Sequence, residues 1–145
     1  MISVENIVRA HWKEFGRNYY CRYDFEGLAT EHGDLVMKAA KGEIEEFSKE
    51  EEKNGDIFKY EDPIDHSVSD NQGVRFIDSK RNSRVVFRLS GTGSSGATVR
   101  MYMERVEDKE FDLTTAEALK DEVKLALALS HIKEITGNEE PTVIT

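Results

Sequence analysis

The most informative stretch of this 145-residue chain is a run of glycine, serine and threonine at residues 90–96, with an arginine on either side. Its three glycines permit backbone conformations with positive φ, and successive N–H groups in such a turn can converge on an anion. The hydroxyl groups of the run add neutral donors. Arg88 and Arg100 flank it, and a guanidinium group matches the oxygens of a phosphate. These residues therefore predict a phosphate-binding loop.

Other glycine-rich motifs fit this loop less well. Its letters match G-x-G-x-x-G, with Asp112 about 20 residues further on, but a dinucleotide site requires a helix after the loop. Residues 98–103 instead alternate with period two, as a strand does. A P-loop requires Gly-Lys, whereas Ala97 follows Gly96 here, and the His-Arg-Asp and Asp-Phe-Gly motifs of protein kinases do not follow. The remaining alternative is a flexible hairpin loop without a ligand, and the two arginines favour phosphate.

The charge of the chain is unevenly distributed. The formal net charge is -9 and 34% of the residues are charged, which is typical of a soluble globular domain on the polar side. Residues 1–74 carry 9 basic and 17 acidic side chains, residues 106–145 carry 4 and 10, and residues 75–105 carry 7 and 2. The acidic total would repel nucleic acid and anionic lipid, so neither is predicted as a partner. The glycine loop lies in the basic segment.

Length and cysteine content predict one cytoplasmic domain over residues 1–145. No apolar run approaches the roughly 18–20 residues of a membrane span, and the first residues lack the pattern of a signal peptide. Cys21 is the only cysteine, which excludes an intrachain disulfide and is typical of a reducing compartment. The four histidines and Cys21 lack ligand spacing, so no metal site is predicted.

Periodicity predicts an α+β fold with helices packed on one face of an antiparallel sheet. A helix is expected over residues 4–15, with Ser3 as its N-cap and Gly16 at its end. Strands are expected at residues 19–25, 57–60, 74–77, 84–89 and 98–103. Arg88 and Arg100 fall on the polar sides of their strands, so both are expected to point toward the mouth of the loop.

Two further helical regions are expected. Residues 26–52 are predicted to be helical and acidic, with Asn54-Gly55 in the loop that closes them and a thin apolar side at Leu35, Ala39 and Phe47. Thr114 and Glu117 have the spacing of a capping box that begins the last helix, and Gly137 lies past its end. The buried stripe of this helix is expected at Leu119, Val123, Ala126, Leu127 and Ser130.

Four blocks of the sequence resemble the last domain of eukaryotic-type phosphoglucomutases, in the α-D-phosphohexomutase superfamily. Residues 87–100 are similar to that family's C-terminal phosphate-binding loop. His11-Trp12 through Asp24 is similar to the start of the domain, Tyr60 through Arg75 to the stretch before the loop, and residues 136–145 to the C-terminus. The match is poorest at residues 26–56, and His66 stands where a glycine is usual.

The resemblance implies a TATA-binding-protein-like fold and the role of a fourth domain. Phosphoglucomutases interconvert glucose 1-phosphate and glucose 6-phosphate through a first-domain phosphoserine and a 1,6-bisphosphate intermediate. Mg²⁺ is implied for the full-length enzyme, held by an aspartate loop of the second domain. Neither the phosphoserine motif nor that loop occurs in this sequence, so the chain is expected to bind no cofactor, hold no catalytic residue and be inactive alone.

The resemblance assigns binding of the phosphate that is not being transferred to Arg88, Ser90, Gly91, Thr92 and Arg100. Arg17 and Arg22 are further candidates for the same cleft. The implied partners are a hexose phosphate and the remaining phosphoglucomutase domains. The alternative is a stand-alone, non-catalytic module that binds phosphate or a protein partner. Nothing in the sequence distinguishes glucose phosphates from mannose phosphates.

Overall fold

The computed structural model describes residues 1–91 and 96–145, without the side chains of residues 71 and 72. Within these ranges one sheet has the strand order β2-β3-β4-β5-β1-β6, and each neighbouring pair is antiparallel. The strands are β1 (Arg17–Leu28), β2 (Lys53–Glu61), β3 (Val68–Asp78), β4 (Ser83–Ser90), β5 (Ala97–Glu107) and β6 (Val143–Ile144). The helices are α1 (Val4–Phe15), α2 (Thr30–Gly42), α3 (Ile44–Phe47), α4 (Thr115–Ala118), α5 (Lys120–Ser130) and α6 (Ile132–Thr136).

One face of the sheet is buried mainly against α2 and α5, which confirms the predicted arrangement. Because side chains alternate along a strand, every second residue of the central strands enters this core. Each large apolar side chain buried in this way stabilises the fold by about 1.5–3 kcal/mol. The core residues of the central strands are Tyr19, Cys21, Val74, Phe76, Val85, Phe87, Val99, Met101 and Met103. Their burial fixes the register of the sheet, because a slip by one residue would exchange the two faces.

The opposite face, here called the open face, is polar, and no helix in the described ranges packs on it. Its side chains come from the alternate positions of the same strands, and they are mainly arginines, carboxylates and tyrosines. On β4 and β5 these are Arg84, Arg88, Arg100, Tyr102 and Glu104, and on β1 they are Tyr20, Arg22 and Asp24. This is the face on which the strands present the two arginines of the loop.

Helix α1 has the predicted bounds and caps. The Ser3 hydroxyl accepts a hydrogen bond from the Asn6 N–H, and Gly16 ends the helix with φ of 85°. None of its residues is buried. Trp12 contacts Phe111 with 6.2 Å between ring centroids. The apolar side of α1 is otherwise exposed.

The predicted apolar side of the second helical region was only partly right: Phe47 is buried and Ala39 is half-buried, but the buried face of α2 differs from the prediction. In α2 the buried residues are Gly33, Val36, Met37 and Ala40, whereas Leu35 is 48% exposed. The helix is therefore turned by about one residue, or 100°. Small residues at positions 33 and 40 let α2 lie close to the sheet, and a search for large apolar side chains overlooks them.

Asn54-Gly55 was also assigned wrongly, because both residues lie inside β2. The chain turns earlier, at residues 48–52. A Cβ on Gly55 would lie 3.2 Å from the Phe76 ring and 3.3 Å from the Cα of Ile44. The glycine is therefore needed for close packing in the strand, and not for a turn.

The last helical region begins as predicted but is divided into three helices. The capping box of Thr114 and Glu117 is present, and Gly137 lies past the end with φ of 78°. The region breaks at Leu119, and again at His131, where φ is 51°. Of the predicted stripe, Leu119, Ala126 and Ser130 are buried and Val123 and Leu127 are half-buried.

Gly33 determines how closely α2 approaches the strands that flank the glycine loop. A Cβ at this position would lie 2.9 Å from the Cβ of Ala97 and 2.9 Å from Cδ1 of Leu89. We predict that Gly33→Val lowers the free energy of unfolding by about 2 kcal/mol, because overpacking of this kind typically costs about 1–3 kcal/mol.

The matched control is Gly42→Val in the same helix, since nothing lies within 4 Å of a Cβ there. Its free energy of unfolding should change by less than about 0.5 kcal/mol. Urea denaturation of both variants measures the difference. Equal stability of the two variants would contradict the packing role assigned to Gly33.

Candidate phosphate-binding site

The two arginines that flank the glycine loop are direct neighbours across β4 and β5. In the antiparallel register Arg88 pairs with Arg100, and both side chains lie on the open face. The side chain of Arg100 is 39% exposed, and Arg88 is exposed. Among the described residues Arg88 has no hydrogen bond and no ion pair. The prediction that both arginines lie on the polar sides of their strands is therefore confirmed, while their direction toward the loop and their ligand remain predictions.

The two ends of the loop meet beside these arginines. Ser90 pairs with Thr98, two residues beyond the arginine pair toward the loop. Gly91 and Gly96 have φ of 84° and 82°, in the region that favours glycine. A Cβ on Gly91 would lie 3.0 Å from the Gly96 carbonyl oxygen, so the backbone closes tightly at this point. Ser90 and Gly91 are thus near both arginines, whereas Thr92 lies outside the described residues.

A third arginine and a buried carboxylate complete this row of the open face. The Asp24 carboxylate accepts hydrogen bonds from Nε and Nη2 of Arg22 at 2.9 and 3.0 Å. These bonds raise the pKa of the Arg22 guanidinium further above its ordinary value. Nε of Arg100 lies 3.8 Å from Oδ2 of Asp24. Arg22 therefore belongs beside the site, and Asp24 joins it to Arg100.

The other arginine suggested by the sequence, Arg17, lies elsewhere. It is on the helix side of β1, where its guanidinium stacks 4.4 Å from the Trp12 ring centroid and 4.2 Å from that of Tyr19. It also donates a hydrogen bond to the Phe111 carbonyl. Position parity along the strand explains the difference, since residues 17 and 22 point to opposite faces.

A pocket of about 290 Å³ on the open face adjoins Arg88. Aromatic rings of Tyr20, Phe58 and Tyr102 form part of its wall, together with Arg75 and Arg84. Burial raises the pKa of Tyr20, so this phenol is neutral and able to donate a hydrogen bond at neutral pH. Arg75 is held by two hydrogen bonds to Asp56, at 2.9 and 2.6 Å, and these raise its pKa.

The arrangement suits anion binding and offers little for covalent chemistry. Burial raises the pKa of Cys21 to about 11, so the thiol is not an activated nucleophile. Among the described residues no group of three or more His, Cys, Asp or Glu side chains could hold a metal ion. No helix in the described ranges is long and apolar enough to cross a membrane.

Sequence reasoning missed Asp24 and the aromatic pocket. Asp24 shares the strand parity of Tyr20 and Arg22, which would have placed it on the open face. Its proximity to Arg100 depends on the pairing of β1 with β5, and that pairing joins residues 76 positions apart. Local sequence patterns do not report such a pairing.

Comparisons with known proteins agree with this fold and with the resemblance. Residues 17–142 match the family described as Phosphoglucomutase-1, C-terminal domain. Phosphoglucomutase-2 of Paramecium tetraurelia is 48% identical over 145 residues, which is 99% of this chain and 25% of that protein. The cytoplasmic phosphoglucomutase of Bromus inermis is 44% identical over 160 residues, covering 100% of this chain and 27% of that protein.

A solved structure gives the same result for the fold. The open form of pp63/parafusin, a phosphoglucomutase from Paramecium, superimposes with a TM-score of 0.93 and 46% identity, covering 99% of this chain and 25% of that one. The match agrees with the TATA-binding-protein-like α+β fold. The chain spans about a quarter of the length of these relatives. It therefore belongs to the eukaryotic phosphoglucomutases, as their C-terminal domain.

Proposed function

We propose that this chain is the phosphate-clamping domain of a phosphoglucomutase that interconverts glucose 1-phosphate and glucose 6-phosphate. The observation that carries the proposal is the direct opposition of Arg88 and Arg100 beside a glycine loop. Like charges directly opposite on neighbouring strands destabilise a sheet. An anion held between them would turn this repulsion into attraction.

The surrounding residues supply the rest of an anion site. The Ser90 hydroxyl and the backbone N–H groups at the loop ends are neutral donors, and Gly91 permits a close approach because it has no side chain. Arg88 has no other partner among the described residues, so its guanidinium is available to a ligand. Arginine is well suited to this role because its planar N–H groups match two phosphate oxygens at once.

The work of such a clamp is positioning and charge neutralisation. A phosphate fixed between Arg88 and Arg100 holds one end of the sugar while the phosphoryl group at its other end reacts, which removes most of the entropic cost of alignment. Neither arginine transfers a proton, because a guanidinium stays protonated at working pH. Closure of the domain over the sugar would also exclude water and limit hydrolysis of the phosphoenzyme.

The proposal places the transfer chemistry on other parts of a longer polypeptide. Mg²⁺, which the family implies, would stabilise negative charge during phosphoryl transfer, but the described residues contain no group of three or more His, Cys, Asp or Glu side chains that could hold it. No ligand of that ion is assigned to this chain. Relatives include both cytoplasmic and chloroplastic enzymes, so the cytoplasmic location remains a prediction.

The exposed side of α1 provides a contact surface for the remaining domains. Val4, Ile7 and Phe15 are 77%, 59% and 63% exposed. This helix lies before residues 17–142, the part that matches the C-terminal domain family, yet the Paramecium relative aligns over 99% of the chain. The helix would therefore join this domain to the preceding one, with its apolar side packed against that domain.

We predict that the chain binds glucose 6-phosphate with a dissociation constant on the order of 1 mM, as expected for one phosphate contact without the other domains. The Arg88→Ala, Arg100→Ala double variant should bind at least about tenfold more weakly, because charge-assisted hydrogen bonds typically contribute about 1.5–3 kcal/mol each. Amide shifts of Gly91 and Gly96 in a titration followed by NMR measure both.

The control for this experiment is Arg9→Ala, since Arg9 lies on α1, outside the pocket beside Arg88, and is paired with Glu5 and Asp112. Its dissociation constant should remain within about twofold of that of the unsubstituted chain, because a distant charge on a wet surface is screened. No shifts at millimolar ligand, or equal losses in all variants, would contradict the clamp.

We predict that the pure 145-residue chain shows no mutase turnover, whereas a chimera does. In the chimera this chain replaces the C-terminal quarter of the Paramecium enzyme, to which it is 48% identical. Production of glucose 6-phosphate from glucose 1-phosphate measures both activities. Sustained turnover by the chain alone would contradict the assignment of the chemistry to other domains.

The proposed contact of α1 gives a separate prediction. Ile7→Asp should leave the melting temperature of the isolated chain unchanged, because Ile7 is 59% exposed and contacts no core. In the chimera the same substitution should lower the melting temperature and the activity, since it would bury a charge between domains. Leu35→Asp on α2, where Leu35 is 48% exposed, is the control. Equal effects of Ile7→Asp in both proteins would contradict the contact.

A further inference from the structure

The Asp24 carboxylate is the unusual group of the open face, because it is charged and almost completely buried. Its side chain is 3% exposed, while the arginines on either side of it are 30% and 39% exposed. A buried carboxylate is costly unless it is paired and hydrogen-bonded. Asp24 meets this condition through its two bonds from Arg22, at 2.9 and 3.0 Å.

Asp24 also lies where the arginines of the clamp most need a counter-charge. Across the sheet the row runs Arg88, Arg100, Asp24, since Arg100 pairs with Arg88 on one side and with Asp24 on the other. Among the described residues, the ion pairs of Arg22 and of Arg100 are both made with this one carboxylate. Removing it would leave three guanidinium groups together without an anion.

The contact between Asp24 and Arg100 is close but incomplete. Nε of Arg100 is buried and has no hydrogen-bond partner in the described part of the chain, and it lies 3.8 Å from Oδ2 of Asp24. A shift of about 0.9 Å would bring the two atoms to the usual N–H···O distance of about 2.9 Å. An arginine held through Nε keeps its terminal N–H groups for a phosphate.

We propose that Asp24 is the positioning residue of the phosphate clamp: its carboxylate fixes Arg22 and receives the Nε–H of Arg100 when an anion occupies the terminal nitrogens of that arginine. This inference rests on the proposed function, because it concerns the same site. Asp24 is thereby added to the clamp as a residue that contacts no phosphate itself and acts by positioning Arg100.

The segment after α6 supports the backbone of Asp24. The Asp24 carbonyl accepts hydrogen bonds from both the N–H and the Oγ1 of Thr142, each at 2.8 Å. Two residues away, Arg22 and Thr145 exchange backbone hydrogen bonds at 2.8 and 3.0 Å. Strand β6 thus holds β1 in place at the position where Asp24 meets Arg100.

The test uses the 145-residue chain with inorganic phosphate and glucose 6-phosphate as probes. Asp24→Asn preserves the shape of the side chain and removes its charge. We expect both probes to bind about tenfold more weakly, as is typical when the group that orients a ligand-binding residue is lost. We also expect the Nε–H resonance of Arg100 to shift when phosphate binds to the unsubstituted chain and to lose that response in the variant.

Glu107→Gln is the matched control, because the largely buried Glu107 carboxylate also accepts a hydrogen bond from an arginine, Arg105, and neither residue lines the pocket beside Arg88. Its phosphate affinity should stay unchanged. An Asp24→Asn variant that binds as the unsubstituted chain does would overturn the role of Asp24 and leave the clamp intact. Equal losses in both variants would also overturn it, since they would indicate a general effect of charge.

Two further outcomes are decisive. If the unsubstituted chain shows no phosphate binding, this inference and the proposed function both fail. If circular dichroism shows that Asp24→Asn does not fold, Arg22→Gln replaces it, because Arg22 is more exposed and its loss frees the carboxylate for Arg100. The Arg100 Nε–H should then move downfield without added phosphate, and an unmoved resonance would refute the positioning role.

Discussion

The antiparallel register between β4 and β5 is the constraint on which the rest of this domain depends. It places Arg88 opposite Arg100, and it places Phe87 and Met101 opposite each other in the core one position away. The core residues hold the register against the repulsion of the arginines. Burial of two large apolar side chains contributes about 3–6 kcal/mol, whereas like charges opposite each other cost at most about 1 kcal/mol.

The same register also explains why the loop closes where it does. Ser90 and Thr98 form the last pair described before the loop, and the residues that follow must reverse direction within a short distance. Gly91 and Gly96, both with positive φ, make this reversal without strain. Gly33 of α2 lies directly below, against Leu89 and Ala97. The helix and the two strand ends therefore form one packed unit.

The sequence predicts the part of the site that follows from the alternation of polar and apolar side chains along the strands. Period-two spacing is enough to place Arg88 and Arg100 on the polar face, because the neighbouring residues that enter the core are plainly apolar. The resemblance to a known family then supplied the ligand that is proposed for the loop, a hexose phosphate. The buried face of α2 was predicted less accurately, because small residues such as Gly33 and Ala40 are buried there. A search for large apolar side chains does not find such residues.

The parts that escaped prediction depend on contacts between distant residues. In its local sequence Asp24 is one polar residue of an alternating strand. Its neighbours in the fold, Arg100 and Thr142, are 76 and 118 positions away along the chain. Strand β6 has only two residues, too few for a pattern to be visible. Its effect on the site comes entirely from pairing with β1. The sequence therefore indicates which residues meet a ligand more readily than which residues hold them in place.

These contacts determine how much of the positive charge of the basic segment, residues 75–105, is left for a ligand. Of its six arginines, Arg75, Arg81, Arg84 and Arg105 are paired with the carboxylates of Asp56, Glu122, Glu104 and Glu107. Their charges are largely neutralised within the fold. Among these arginines only Arg88 has no ion pair in the described part of the chain, and Arg100 has one loose contact at 3.8 Å. The arginine charge available to a ligand is thus concentrated beside the glycine loop, which favours a small, doubly charged anion over a long polyanion. A polyanion would require several unpaired cations in a row, and the ion pairs of the open face remove them.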